Sequence, residues 1–323
     1  VDLIAATLET VSVTGSGEAL VLDVTSATAM DFNVAGDQNV TIEADTDVVA
    51  GTTLTDTTTA GTTSLVVEAG AAATADLTGA GVLSGGIRLD AVATTGVTVV
   101  GGNTLTTAAG VQALTITAND TGSAADGTIN IVVDGATGVG TIIESGFETV
   151  VLSTNDSLDT SVVNVVSTST AGNDTTITLA SNNDVDGFSV ASTGAGASSA
   201  TVAVVGDLTS GAVVTSIVHT GNDSSAELSL NASGDISQTA NVTLTSNDAD
   251  ASLTMVSTSG DVVVGGAIAL DADAETGDVS LTVTAANDIT LGAPGLAGGE
   301  SGTVTLTAGN ELTVGAIDAA ANT

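Results

Sequence analysis

The chain has 323 residues and a net charge of −37 at pH 7, and it contains no Cys, Trp or Tyr. One Arg stands against 38 acidic residues, which excludes nucleic acid and anionic membranes as partners, because both are bound through Lys and Arg. The absence of Cys excludes disulfides and thiolate metal sites. No run of about 18 apolar residues predicts insertion into a membrane.

The apolar residues are of a kind that favours β-strands. They make up 42% of the chain, and a mean hydropathy of +0.46 is too high for a disordered protein. Val, Ala, Leu and Ile dominate together with Thr, and β-branched side chains pack well on a pleated sheet. With 39 Gly and one Pro, the composition predicts an all-β protein with a narrow core and many tight corners.

Residues 1–110 form a β-rich but less regular N-terminal part. Apolar residues alternate with polar ones in short runs about ten residues apart, which is the pattern of half-buried strands. The Thr/Ala/Gly-rich stretches 50–64 and 69–86 weaken this pattern, and we interpret them as loops or poorly specified coils. The alternating pairs are Val11 and Val13, Leu20 and Leu22, Met30 and Phe32, and Val40 and Ile42.

Residues 111–233 continue with closely spaced strand runs, such as QALTITAND from Gln112 and GTINIVVDG from Gly127. Residues 234–323 then repeat one motif four times, beginning at Gly234, Gly260, Asn287 and Asn310. A unit this short cannot bury its own apolar face and is stable only when stacked on its neighbours. We therefore predict a parallel β-solenoid over both parts, most regular after residue 233.

A string of β-sandwich domains is the alternative architecture for many short strands. Sandwiches usually contain larger core residues and Pro-bearing linkers, which favours the solenoid here. At roughly 25 residues per coil and ~4.8 Å between stacked strands, the chain would form a rod of roughly 60 Å. Because the chain lacks an initiator Met and a signal peptide and stops inside a repeat, we expect a processed product or a piece of a longer chain.

Two groups of bacterial surface proteins resemble parts of this sequence. The phrases FETVVLS from Phe147 and LETVSVT from Leu8, on a Thr/Ala/Val/Gly-rich background, resemble S-layer proteins secreted by type I systems. The Gly-Asp-Ile and Gly-Asp-Val repeats near the C-terminus resemble the β-helical repeats of filamentous-haemagglutinin-type adhesins. The first resemblance implies a secreted, calcium-dependent protein that assembles at the cell surface. The calcium-binding nonapeptide of that group, GGxGxD, is absent, so calcium has to be argued from other acidic residues.

Four acidic clusters are candidate Ca²⁺ sites. Alternating carboxylates in a turn point to one side, and Ca²⁺ takes about six to eight oxygen ligands. None of the clusters has the full spacing of an EF-hand. The alternative is that Asp and Asn collect in exposed turns because their side chains bond to the local backbone. The clusters are Asp271, Asp273, Glu275 and Asp278; Asn247, Asp248 and Asp250; Asn183, Asp184 and Asp186; and Glu43, Asp45 and Asp47.

Three other features have both a structural and a functional interpretation. Asn-Asp pairs such as Asn287-Asp288 end several strands, which turn chemistry explains, although stacked pairs could form polar ladders. His219 is interpreted as a packed or rim residue, since the chain has no second His to complete a ligand set. Arg88 is expected to pair with Asp90 or another local acid, with a salt bridge to a second copy as the alternative.

Catalysis is not expected, because one His and no Cys, Lys or Tyr leave no usual nucleophile–base pair. An all-carboxylate glycosidase is the remaining enzymatic alternative. The sequence favours a self-assembling structural protein of the extracellular surface, bridged by Ca²⁺, in a layer or filament of its own copies. The alternative is the stalk of a large secreted adhesin, and a cell-surface glycan is a further candidate partner.

Overall fold

The computed structural model is a parallel β-solenoid, in which the chain winds repeatedly around one narrow core. All strand pairs in the described part of the chain are parallel, which confirms the predicted solenoid and excludes antiparallel sandwiches. The structure describes residues 1–5, 9–15, 17–26, 30–49, 52–68, 74–90, 96–100, 102–107, 113–118, 128–133, 141–145, 149–154, 164–168, 175–181, 185–194, 198–210, 215–219, 225–247, 249–272, 276–298 and 301–321.

The long sheet has 14 strands and runs the length of the described solenoid. Register partners in neighbouring strands are separated by one coil, and the length of that coil varies: Ile87 pairs with Leu105, whereas Ala251 pairs with Val279. Its strands are β1 (Asp2–Ala5), β3 (Leu20–Ser26), β5 (Val40–Asp45), β7 (Thr63–Glu68), β9 (Ile87–Leu89), β11 (Thr104–Thr107), β13 (Thr128–Val133), β15 (Thr149–Thr154), β17 (Thr175–Ser181), β19 (Ser198–Val204), β22 (Ala226–Ala232), β25 (Ala251–Ser257), β28 (Asp278–Ala285) and β31 (Ser301–Ala308).

The opposite side of the solenoid is formed first by a short sheet and then by a forked sheet. The short sheet contains β2 (Thr10–Gly15), β4 (Asp31–Gly36) and β6 (Leu54–Thr58). The forked sheet begins with β8 (Thr74–Asp76), β10 (Gly96–Val99), β12 (Ala113–Ala118), β14 (Thr141–Ser145), β16 (Asn164–Thr168) and β18 (Val185–Gly194). One branch then contains β20 (Leu208–Ser210), β23 (Ile236–Gln238), β26 (Val262–Val264), β29 (Ile289–Leu291) and β32 (Leu312–Val314), and the other contains β21 (Thr215–His219), β24 (Val242–Thr245), β27 (Ile268–Asp271), β30 (Gly295–Gly298) and β33 (Asp318–Ala321).

The fork lies at β18, a strand of ten residues. Its first half pairs with β20, starting at Val185 and Leu208, and its second half pairs with β21, starting at Ala191 and Ser216. The register shifts between Asp186 and Phe188. From this strand onward each coil contains three strands instead of two: one in the long sheet and one in each branch of the forked sheet. The cross-section of the solenoid therefore changes at β18, while the long sheet continues without a break.

The core consists of aliphatic side chains stacked in columns along the solenoid. Leu228, Leu253 and Leu281 occupy one register position in successive strands, and each is at most 2% exposed. Because inward residues alternate with outward ones, each strand contributes only three or four side chains to its layer. A layer this thin is filled by Leu, Val, Ile and Ala, which explains the near absence of aromatic residues.

The predicted alternation is confirmed in the N-terminal part, where Phe32, Val34, Val40 and Ile42 are all buried. The interpretation of 50–64 and 69–86 as loops is wrong in part. Strands β6, β7 and β8 lie within or across them, and Leu54 of β6 and Leu65 and Val67 of β7 point into the core. Two short helical segments, α1 (Thr46–Val49) and the 3₁₀ turn η1 (Thr78–Ala80), had no recognisable signal in the sequence.

The long sheet runs across residues 110 and 233, so neither proposed boundary interrupts it. The division into three parts remains a prediction. In the last described coil the inward residues Val304 and Leu306 are only partly buried, whereas Leu281 and Val283 one coil earlier are fully buried. Among the described residues, no helix is long and apolar enough to cross a membrane.

Candidate functional site: the corners and outer faces of the solenoid

A ladder of carboxylates joins successive coils at one corner of the C-terminal part. The backbone N–H of Asp235 donates to Asp207 Oδ1 at 2.7 Å, and that of Asp261 donates to Asp235 Oδ1 at 2.8 Å. The same contact recurs from Asp288 to Asp261 at 3.1 Å and from Glu311 to Asp288 at 2.9 Å. This corner ladder satisfies backbone donors that lie outside the strands, so the repeated acids have a structural role.

The residue before each acid lies against the carboxylate of the preceding coil, so its size matters for the corner ladder. A side chain at Gly234 or Gly260 would overlap Oδ1 of the aspartate in the preceding coil. In the two later repeats Asn replaces Gly, and Asn310 donates its own side-chain N–H to Asp288 Oδ1 at 2.8 Å. At the described repeats these pairs are therefore inter-coil hydrogen-bonding units, which is the stacked polar ladder rather than the local turn chemistry of the two interpretations.

Carboxylates also line the outer face of the first strands of the long sheet. Asp23 is the register partner of Glu43, and Asp45 is the partner of Glu68. We call Asp23, Glu43, Asp45, Glu68 and Asp90 the acidic row. Burial raises the pKa of Glu68, and the negative charges of the other four members raise it further. The row therefore concentrates like charges at a separation where they repel one another.

Arg88 lies at the end of the acidic row on β9. Its Nε donates to Asp90 Oδ1 at 2.7 Å, which confirms the predicted local pair. Both side chains are substantially exposed, at 40% and 41%, so the pair contributes little to stability. A groove of about 270 Å³ opens beside it, bordered by Ser64, Gly85 and Gly86.

Asp56, on the short sheet, is a carboxylate whose negative charge is stabilised by its neighbours. Asp56 on β6 is partly buried, which by itself would raise its pKa. The backbone N–H and hydroxyl of Thr58, at 3.0 and 2.8 Å, and the hydroxyl of Ser84, at 3.1 Å, donate to its oxygens and together lower the pKa. Glu68 and Asp56 thus differ in their surroundings: like charges surround one, and donors surround the other.

The structure describes only some residues of the four predicted calcium clusters. Glu43 and Asp45 lie in the acidic row. Asp250 accepts the backbone N–H of Asp278 at 2.8 Å, and Asp278 accepts the hydroxyl of Ser301 at 2.7 Å. Both therefore join coils, although they were proposed for different clusters.

The remaining members of the clusters divide into two groups. Asn247 and Asp271 are exposed. Asp248, Asp273, Glu275, Asn183 and Asp184, and the side chains of Asp47 and Asp186, lie outside the described residues. Within the described part of the chain, no three His, Cys, Asp or Glu side chains are arranged so that they could hold a metal ion. The calcium assignment stays a prediction.

The outer face of the long sheet from β11 to β31 differs from the acidic row because it is nearly uncharged. At the central outward positions that the structure describes, Glu227 is the one charged residue, and Asp278 lies at the rim at the start of β28. We call this surface the hydroxyl face. Its Ser and Thr residues are Thr104, Thr106, Thr128, Thr149, Ser153, Thr176, Thr178, Ser199, Thr201, Ser229, Ser252, Thr254, Ser280, Thr282, Thr284, Thr303, Thr305 and Thr307.

Sequence reasoning missed three members of the acidic row and the whole hydroxyl face. Asp23, Glu68 and Asp90 are far from Glu43 in sequence, and only the register of the coils brings them together. Aligning the strands of successive coils would have revealed both surfaces, but the coil length varies too much for a fixed period to supply that alignment.

A comparison of the chain with models of known protein families, with curated proteins and with solved structures gave no match. The fold and these surfaces are therefore the features that bear on function.

Proposed function

We propose that this chain belongs to an extracellular structural protein that assembles with copies of itself into a surface layer or filament, with Ca²⁺ bridging its acidic surfaces. The observation that supports this most strongly is the acidic row on a continuous solenoid. An elongated repeat scaffold offers long surfaces rather than a pocket, and the row carries charges that the one Arg of the chain cannot balance.

Calcium is the counter-ion that best suits these surfaces. Carboxylate oxygens are the ligands that Ca²⁺ prefers, and its coordination is flexible enough to take oxygens from two molecules. A net charge of −37 makes two copies repel each other. Divalent cations would both neutralise this repulsion and connect the copies, whereas monovalent salt would only screen it.

Static light scattering tests this function. The chain is freed of metal with a chelator and titrated with CaCl₂, and a NaCl titration at matched ionic strength is the control. We expect the scattering mass to rise with Ca²⁺, to fall again when chelator is added, and to change much less with NaCl. Assembly that is indifferent to the chelator would eliminate the calcium part of the proposal. A mass that stays monomeric throughout would contradict self-assembly and favour the adhesin stalk.

A further inference from the structure

We propose that the hydroxyl face is the surface through which two copies of the chain pack side by side, related by a twofold axis parallel to the long axis of the solenoids, so that the central row of hydroxyls meets the same row of the partner. This inference rests on the proposed function and specifies which surface the copies share. It concerns lateral contact between solenoids and does not involve the acidic row.

The distribution of charge selects this face. The corner ladder and the acidic row are two strongly acidic surfaces, whereas the described central outward positions of the hydroxyl face carry one charge, on Glu227. Two carboxylates that meet at ~4 Å repel by about 1 kcal/mol even at the dielectric constant of water, and by more where water is displaced. A second copy is equally acidic, so it meets much less repulsion at the hydroxyl face than at the acidic row of the same long sheet.

The chemistry of the face makes it complementary to itself. Thr178, Thr201, Ser229, Thr254, Thr282 and Thr305 follow one another in register along the sheet. A hydroxyl is both a donor and an acceptor, so a row of hydroxyls can pair with an identical row, which a row of carboxylates cannot do. A twofold axis places the same patch on both partners, and the two rows then share one repeat distance along the solenoid.

The hydroxyl face is large enough for a stable contact, and its side chains are already restricted in their motion. Nine strands spaced by ~4.8 Å and about 20 Å wide give an area on the order of 800 Å² per copy, which is the size of a standard interface. The side chains at 252, 254, 280 and 282 are already half-buried by their neighbours. Thr has few rotamers, so ordering these side chains on association costs little entropy.

Cysteine cross-linking tests the inference, because the chain has no Cys of its own. Thr282→Cys places a single thiol on the hydroxyl face, and Thr290→Cys places one at an exposed position of β29 on the forked sheet. Each variant is assembled with Ca²⁺ and treated with a short bis-maleimide. We expect a covalent dimer from Thr282→Cys and at least tenfold less from Thr290→Cys. Equal yields, or more dimer from Thr290→Cys, would overturn the inference.

Charge substitutions provide a second measurement by sedimentation velocity. Thr254→Glu/Thr282→Glu should lose lateral association, Thr290→Glu should retain it, and Glu227→Gln should strengthen it. Far-ultraviolet circular dichroism checks that each variant is folded. If the unmodified chain never assembles, the proposed function itself fails. If it assembles and Thr254→Glu/Thr282→Glu assembles equally well, only the assignment of the face is wrong.

Discussion

The carboxylates of the corner ladder, which are exposed or half-buried, accept hydrogen bonds from the backbone of the following coil. Asp261 is a clear example, since its N–H donates to Asp235 and its Oδ1 accepts from Asp288. These bonds connect coils at a corner between strands, beside backbone–backbone bonds such as that from Asn287 N–H to the carbonyl of Gly260. Their contribution should therefore depend on the oxygen atom more than on the negative charge.

Asp261→Ala and Asp261→Asn separate these two contributions, because both remove the charge but only Asn keeps an acceptor oxygen. We expect Asp261→Ala to lower the free energy of unfolding by about 1 kcal/mol, as for the loss of a helix cap or of one hydrogen bond. Asp261→Asn should cost clearly less. Urea unfolding followed by circular dichroism measures both, and equal losses would show that the oxygen does not matter.

Whereas Asp261 stabilises the fold, the negative charge of Glu68 in the acidic row should destabilise it at neutral pH. Its pKa is raised in the folded state, so the folded chain holds this proton more tightly than the unfolded chain, and ionisation at neutral pH destabilises the fold. Glu68→Gln should therefore raise the melting temperature at pH 7 and low salt, by an amount on the order of 1–2 °C. Differential scanning calorimetry at several pH values measures this.

The gain from Glu68→Gln should shrink below pH 4.5, the ordinary pKa of Glu, because Glu68 is then protonated in both states. It should also shrink in high salt, which screens the row. Glu18→Gln is the matched control, since Glu18 is an exposed Glu outside the row. An equal gain from the control would assign the effect to net charge instead of the row.

At these positions the sequence predicted the type of chemistry better than its location. The repeated Gly-Asp and Asn-Asp pairs identified the corners correctly, because Gly, Asn and Asp mark turns over a short local stretch of chain, but the bonds of their carboxylates run to the next coil. The acidic row could not be predicted, because Glu43 and Glu68 become neighbours only through the register of separate coils. Local patterns in a sequence carry no information about a register that varies from coil to coil.

Single strands of the long sheet owe their stability to the layers above and below them. Leu281 of β28 lies between Leu253 and Val304 and is fully buried, whereas Leu306 of β31 is only partly buried because no described layer follows it. Neighbouring coils thus supply most of the burial, as in other repeat proteins. A leucine should therefore contribute a different amount to the free energy of unfolding in different coils.

Leu281→Ala should lower the free energy of unfolding by about 2–5 kcal/mol, the range for a fully buried leucine. Leu306→Ala, the matched control, should cost less than half as much. Hydrogen exchange across β25 and β28 together with urea unfolding measures both the local and the global loss. Equal costs at the two positions would contradict the stacked-layer description.

The pattern of alternating residues made these strands predictable, but not the fork at β18. Alternation shows which side chains face inward and is a local property. Whether a coil has two sides or three depends on where its corners fall, and the ten-residue β18 reads like any other strand until its two halves pair with different partners. The fold class followed from composition and periodicity, whereas the cross-section depends on which distant strands pair with each half of β18.

The whole solenoid separates its surfaces by charge. The long sheet carries the acidic row on its first strands and the hydroxyl face from β11 onward, while the corner ladder follows the C-terminal coils. In our account cations compensate the acidic surfaces, and the neutral face packs against a second copy. An elongated particle with these two kinds of surface is suited to forming layers or filaments.

Electron microscopy of the native material, prepared with Ca²⁺ and after its removal by a chelator, tests this account most directly. We expect an ordered layer or filament with Ca²⁺, and separate particles or a loosened lattice once Ca²⁺ is removed. Isolated rods under both conditions would contradict it.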